Sequence, residues 1–510
     1  MRSLFRRGTV GRARGLLLLL LVVAAAVAAP PAAADRGLVV GVTESRLRWD
    51  TAATVAVARD VGLGAVRVTL AWTPGQTTLS QDDAGELDRM VAAASGLRIV
   101  VTIFGPARAA PVDEAGRNVF CEYARTLLDR YPTINDVVVW NEPNLGFFWQ
   151  PQFDVDGASA APGAYVQLLG RCWDVLHAAR PSVNVIMTTS PSGNDNPAAS
   201  SNVSHAPGTF IRRMGATYRA SGRGRPVFDT IGHNPYGTSS AEAPTRQHLF
   251  PSHVGMGDLD RLLLALRDGF VSTKQPVPGS CAGAACPSIW YLEAGYQTVP
   301  DPATSSLYTG RENDARPLPA AETGNLTQGS QLRAAVRLAY CQPYVSAFFN
   351  FLLWDEPDLA RWQSGVLTPD GTRKPSYDAL RRVAGEVSGG AIDCTTVPRP
   401  QPRANGVLLD RVEWPELRVY SAFNSVWGFN VVTRERVSYR ATLMRVNGGA
   451  AARRRPALAA SGTLRLGRPR YVALPVKSVA RGTYRFELVL SRKGNRPLTE
   501  RRVSATFVVR

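Results

Sequence analysis

Histidine is scarce, with five in 510 residues (His177, His205, His233, His248 and His253). None sits in a His-Glu-x-x-His run or a ligand cluster with cysteines, which argues against metal-dependent hydrolysis. No metal and no other cofactor is expected. There is no Gly-x-Ser-x-Gly elbow, so serine hydrolysis built on that turn is set aside. No Gly-rich phosphate turn follows the first strand pattern, which runs into Val42-Thr43-Glu44-Ser45 and so offers nothing to a nucleotide. Long apolar runs are also lacking: the one at 16–29 falls short of the roughly 20 residues needed to span a bilayer. That run follows Arg2, Arg6, Arg7, Arg12 and Arg14 and precedes Ala32-Ala33-Ala34. The order basic, apolar, small describes a secretory signal peptide over 1–34, which predicts a secreted protein with no stable membrane span after processing.

What is present divides unevenly. The net charge of +18 is concentrated at the two ends. Residues 401–510 hold 22 Lys and Arg against 6 Asp and Glu, whereas 35–400 hold 32 against 35. A near-neutral body therefore carries a strongly basic tail. At this length two folded units are expected.

From 38 to about 388, β-branched runs alternate with amphipathic stretches. Strands are expected at 38–43, 65–71, 98–104, 136–140, 184–189, 228–231, 289–292 and 346–353. Helices are expected between them and once after the last. Eight such repeats predict a (β/α)8 TIM barrel over 35–395, with a doubly wound open sheet as the competing fold. The six cysteines suit an oxidising compartment. Cys281 and Cys286 are close enough to bridge locally, and Cys121 and Cys172 fall on neighbouring helices, which leaves Cys341 with Cys394. This is one of 15 pairings that six cysteines allow. A Pro-rich linker is expected over 396–404. Beyond it, strand patterns near 417–423, 437–446, 463–466, 471–476, 483–490 and 503–509 predict a small all-β, Ig-like sandwich over 405–510.

Two strand ends carry glutamates in unusual settings: Val139-Trp140-Asn141-Glu142-Pro143-Asn144 after strand four, and Tyr291-Leu292-Glu293-Ala294-Gly295 after strand seven. Chemistry in a TIM barrel sits at these ends, and a carboxylate placed against an apolar strand costs stability unless it is used or paired. Retaining glycoside hydrolysis uses two such carboxyls about 5–5.5 Å apart. Here the sequence resembles clan A of the glycoside hydrolases, the cellulase-like and family 39-like barrels. The resemblance covers about 38–388. It implies Glu142 as acid/base, Glu293 as nucleophile and Asn141 as a ligand of the sugar 2-hydroxyl. It further implies His233 and Tyr236, from His233-Asn234-Pro235-Tyr236, as a pair whose phenol bonds the nucleophile. Arg67 would lie near the nucleophile and Trp354 would be a sugar platform. Gly371-Thr372-Arg373-Lys374-Pro375 also resembles a segment common in these enzymes. Strand three, ending in Ile103-Phe104-Gly105, lacks the histidine of family 5 members.

The expected activity is hydrolysis of O-glycosidic, β-type bonds in oligo- or polysaccharides. A transglycosylase shares every residue named, and a catalytically silent glycan-binding protein is the rival from another class. Trp72, Phe104, Phe147, Phe148, Trp149, Tyr296 and Trp354 lie at or beyond strand ends, divided between sugar contact and packing. The long loop 297–328 after the nucleophile is expected to be a wall or lid. The carbohydrate substrate is the expected partner. The basic tail reads either as a solvated face or as a hold on an anionic cell-surface polymer. Nucleic acid is not expected, since no recognised motif is present.

Overall fold

The computed structural model describes residues 37–248, 252–281, 286–314 and 316–398, then a discontinuous set of β segments between 409 and 509. The expected signal segment 1–34, residues 399–404 of the expected linker and the Arg453-Arg454-Arg455 run lie outside the described residues.

Eight parallel strands close a barrel in sequence order. They are β1 (Val39–Thr43), β2 (Ala65–Ala71), β3 (Arg98–Phe104), β4 (Asp136–Val139), β5 (Asn184–Met187), β6 (Thr230–His233), β7 (Ser288–Ala294) and β8 (Val345–Phe351). The crossover helices are α1 (Thr51–Val61), α2 (Gln81–Ala93), α3 (Glu114–Arg130), α4 (Ala161–Ala179), α5 (Pro207–Ala220), α6 (Leu259–Phe270), α7 (Gln328–Cys341) and α8 (Tyr377–Ser388). The open-sheet alternative is thereby removed. Local chemistry starts several helices: Ser80, Asp113 and Thr327 each accept the N3 backbone N–H, satisfying a donor that has no partner inside the helix.

The barrel interior is stratified. Its apolar layer contains Ala65, Val100, Val138, Ile186, Trp290, Leu292, Ala347 and Phe349. One inward step further along, β2 presents Arg67 and β3 presents Thr102, both buried. The period-two geometry of strands thus places polar groups in a layer above the apolar one, toward the C-terminal strand ends.

One strand differs from expectation. Val227 and Phe228 donate their N–H groups to the Gln275 side chain rather than to a ladder, and Phe228 packs edge-on against Phe270. β6 therefore runs from Thr230 to His233, not over 228–231. All three expected disulfides form: Cys121–Cys172, Cys281–Cys286 and Cys341–Cys394.

The C-terminal unit is a sandwich with one core, in which Trp427, Phe429, Val472, Leu474, Phe486 and Leu488 meet. Its strands are β9 (Leu409–Glu413), β10 (Val419–Tyr420), β11 (Trp427–Thr433), β12 (Val437–Arg445), β13 (Pro456–Leu464), β14 (Arg470–Leu474), β15 (Gly482–Arg492), β16 (Leu498–Val503) and β17 (Phe507–Val509). One sheet has the order β10-β17-β15-β12-β13, with β16 also on β15, and the other runs β14-β11-β9. The sequence pattern missed β9, β11 and nearly all of β16. β11 places Trp427, Phe429 and Val431 in the core at a spacing of two.

α5 and α6 touch backbone to backbone. A Cβ on Gly215 would lie 2.0 Å from the Gly269 carbonyl oxygen. Gly215→Ala gains helix propensity but must push α6 away, and overpacking costs about 1–3 kcal/mol. The denaturant midpoint should fall; an unchanged or higher midpoint would contradict this close approach.

Candidate active site

The site lies at the C-terminal end of the barrel. Arg67, on β2, lies 1% exposed in the barrel mouth. Its Nη1 donates to Glu293 Oε1 at 2.5 Å, Nη2 to Asn141 Oδ1 at 3.1 Å and Nε to Thr102 Oγ1 at 2.6 Å. Thr43 Oγ1 lies 3.4 Å from Nη1 and itself donates to the Leu292 carbonyl. A buried guanidinium needs such partners on every side. In meeting that need, Arg67 links β2, β3, the end of β4 and β7. Tyr236 completes the setting of Glu293, its phenol donating to Oε2 at 3.2 Å. Burial and then the charges of Glu293 and Glu142 push the Tyr236 phenol well above its usual range, so it remains a donor.

Glu142 lives differently. It is buried, with Oε1 accepting from Asn234 Nδ2 at 2.7 Å. Burial pushes its carboxyl up to about 8, the charge of Glu293 adds to the rise, and Asn234 and Arg67 oppose it. Two carboxyls in one cavity thus have unlike surroundings: one bonded by an arginine and a phenol, the other by a neutral amide.

The turn that aims Glu142 is strained. Trp140 and Glu142 both have positive φ, 68° and 38°, a conformation costing non-glycine residues of order 1–3 kcal/mol each. Packing holds it. The Trp140 indole donates to the Phe148 carbonyl at 2.7 Å and meets Trp72, Phe104 and Trp149 edge to face.

The cavity above these groups measures about 990 Å³ and is lined by Arg67, Asn141, Glu142, Tyr236, Glu293 and Trp354, among others. Six of the seven expected site residues therefore meet in one place. The exception is His233. It stands behind the wall, with Nδ1 2.9 Å from Thr189 Oγ1 and Nε2 2.8 Å from the Val254 carbonyl. Since that carbonyl only accepts, Nε2 carries the proton. Burial lowers the ring to about 4, and the neutral histidine pins the end of β6 without touching either carboxylate.

No family model and no curated protein matches the chain. Glycosidases are among the solved structures it resembles. A β-glucuronidase of Bacteroides uniformis is 9% identical with a TM-score of 0.41, over 93% of this chain and 46% of that one. The GH5_18 protein of Streptomyces cattleya, solved with Manβ1-4GlcNAc, is 17% identical with a TM-score of 0.45, over 72% of this chain and 83% of that one. The chain spans less than half the length of the Bacteroides protein.

Several site features escaped the sequence reading. Asn234, within His233-Asn234-Pro235-Tyr236, carries the hydrogen bond to Glu142, a role its sequence position does not reveal. Trp362 lines the cavity and lies 4.8 Å from the Tyr236 ring, but it comes from a loop with no strand pattern to mark it. Glu44 accepts from the backbone N–H groups of Arg46, Leu353 and Trp354, fastening the Trp354 segment to the end of β1. Of the expected aromatics, Phe104, Phe147, Phe148 and Trp354 reach the cavity, whereas Trp72, Trp149 and Tyr296 are packing residues. No described residue of loop 297–328 lines the cavity. It is an outer support: Tyr308 donates to Asp355 at 2.8 Å, and the Thr309 N–H to the Pro357 carbonyl.

Glu142 couples the site to stability. With its folded-state carboxyl raised to about 8 from an ordinary 4.5, the folded chain holds a proton that the unfolded chain releases. The associated stability is present below about 4.5 and is lost as pH rises through about 8. Glu142→Gln should therefore unfold at higher denaturant than the parent at pH 8, by a few kcal/mol on the order expected for such a shift, with little difference at pH 4.5. Equal midpoints at both pH values would refute the raised carboxyl.

Proposed function

We propose that this chain is a secreted retaining glycoside hydrolase. The observation that carries the reading is the opposed setting of Glu142 and Glu293 in one barrel-mouth cavity. One carboxyl buried against a neutral amide and raised by that burial, and another bonded by Arg67 and Tyr236, supply the acid and the nucleophile that double displacement at a sugar needs.

Glu293 attacks the anomeric carbon as the glycosidic C–O bond breaks, and Glu142 gives its proton to the departing oxygen. The sugar is left esterified to Glu293. Water then attacks the same carbon and Glu142 takes back a proton, releasing the sugar and restoring the Glu293 carboxylate. Arg67 and Tyr236 hold Glu293 in place throughout. Asn141, its carbonyl oxygen occupied by Arg67, retains its amide N–H groups as donors for a sugar hydroxyl. Trp354 and Trp362 offer apolar ring surface. Transfer to a sugar acceptor instead of water uses the same residues. A silent binder has no need of the buried, strained Glu142.

Export is supported by the basic, apolar and small-residue order of 1–34 and by three disulfides, which persist in oxidising compartments. Retention on an anionic polymer is the proposed use of the basic sandwich. Part of its charge is already neutralised internally, since Arg485 and Arg501 both pair with Glu487.

Activity should be sought on a panel of aryl β-glycosides and β-linked polysaccharides. Glu293→Gln should abolish turnover of every substrate the parent cleaves. Glu142→Ala should lose about 10²–10⁴-fold on polysaccharide, the range for general acid catalysis, while still releasing an activated phenol in the first step. Full activity in either variant on polysaccharide would end this assignment. The parent's kcat/KM should fall as pH rises past about 8, where Glu142 loses its proton. A limb that persists in Glu142→Ala would assign it to another group.

A further inference from the structure

Beside the catalytic cavity lies a larger and more open groove, of about 1180 Å³, between the loop that follows β4 and the loop that follows β5. Phe147 lines both spaces. We propose that the substrate is a glycan chain whose leaving-group side crosses Phe147 and lies in this second groove. The proposal rests on the glycosidase reading and adds the substrate's form and direction.

Direction follows from the acid. The oxygen that receives the Glu142 proton belongs to the leaving group, so sugars beyond the cleaved bond lie on the Glu142 side. Phe147 stands five residues after Glu142 on the same loop, and the groove opens past it.

Phe147 is 80% exposed, so its ring is accessible from both spaces. It is braced rather than loose: its ring meets Phe148 edge to face at 4.9 Å, and Phe148 meets Phe104 likewise at 5.8 Å. The groove floor is a built surface. The Gly146 N–H donates to the Val203 carbonyl at 2.9 Å, and a Cβ at Gly146 would sit 2.5 Å from that oxygen. Only glycine permits the two loops to approach so closely. Behind them, the buried Asn144 amide donates to Ser190 Oγ at 2.8 Å and to the His205 carbonyl at 3.0 Å. Buried Gln152 spans the carbonyls of Pro143 and Trp149. These bonds hold both loops in one shape.

The lining chemistry fits sugar. Arg108, Gln150, Asp154, Asp156 and Asn202 supply donors and acceptors for hydroxyl groups, and Phe147 and Phe153 supply ring surface. Small aryl glycosides fill the catalytic cavity but leave this groove vacant. A chain can use both.

The test compares aryl β-glycosides with cello-, manno- and xylo-oligosaccharides from dimer to hexamer, using the full chain. In the parent, kcat/KM on the cleaved series should climb about tenfold or more from dimer to hexamer, an increment of about 1.4 kcal/mol. In Asp154→Ala and in Asn202→Ala, whose side chains line the second groove and not the catalytic cavity, the ratio of hexamer to aryl-glycoside kcat/KM should fall by a similar factor, through KM. An unchanged ratio in variants that keep the parent's denaturant midpoint would overturn the groove's role. So would a parent that cleaves aryl glycosides but shows no gain with chain length in any series; the catalytic reading then stands alone. A parent inactive on every substrate, or a Glu293→Gln variant that remains active, removes the catalytic reading and the groove's role with it.

Discussion

A guanidinium buried inside the barrel is the constraint on which the site depends. Arg67 is almost wholly enclosed, and an unpaired charge there would be prohibitive. Its partners come from other strands: Glu293 from β7, Asn141 from the end of β4 and Thr102 from β3. Each strand must therefore keep its register for the others to be satisfied. Breaking a buried pair of this kind costs about 3–5 kcal/mol because the remaining charge is stranded. The arrangement that keeps Arg67 tolerable is the same one that fixes Glu293 and the neighbour of Glu142.

Around that pair, stability is lost locally in the setting of Glu142. Glu142 sits in a left-handed turn after Trp140, another left-handed residue, and its carboxyl is buried against an amide rather than a cation. Neither feature favours folding. The aromatic cluster of Trp72, Phe104, Trp140 and Trp149 holds the turn where it is. Strain persists only when surrounding packing over-determines it, and here Trp72, Trp140 and Trp149 are buried and Phe104 partly so.

The far wall is secured by a second buried charge pair. Lys374 contacts both Asp355 oxygens, at 3.1 and 2.9 Å, and the Gln363 carbonyl, while Tyr308 donates to Asp355. This accounts for the Thr372-Arg373-Lys374-Pro375 segment: its lysine reaches inward to hold the loop that carries Trp354 and Trp362. Loop 297–328 stands behind that loop, a support for the wall in place of a lid.

The barrel was legible because eight buried strands and eight amphipathic helices leave repeated one-dimensional patterns. Glu142 and Glu293 were legible because a carboxylate interrupts an apolar strand end where nothing else explains it. The cysteine pairs followed once the helices had been placed. What could not be read were relations across the barrel mouth. Asn234 matters because β6 brings it to Glu142, 92 positions away in the chain. Trp362 matters because an irregular loop folds back onto Tyr236. His233, beside a site residue in sequence, points to the Val254 carbonyl instead, since successive residues at a strand end face different ways. Periodicity by itself determined the βα repeats and the β-rich tail, and strand-end position marked the two carboxyls, while closure of the eight strands into a barrel was decided by the tertiary structure. Which side chains surround those carboxyls, and hence which one keeps its proton, was decided only by contacts between distant segments, because burial and pairing are properties of packed neighbours and not of adjacent residues.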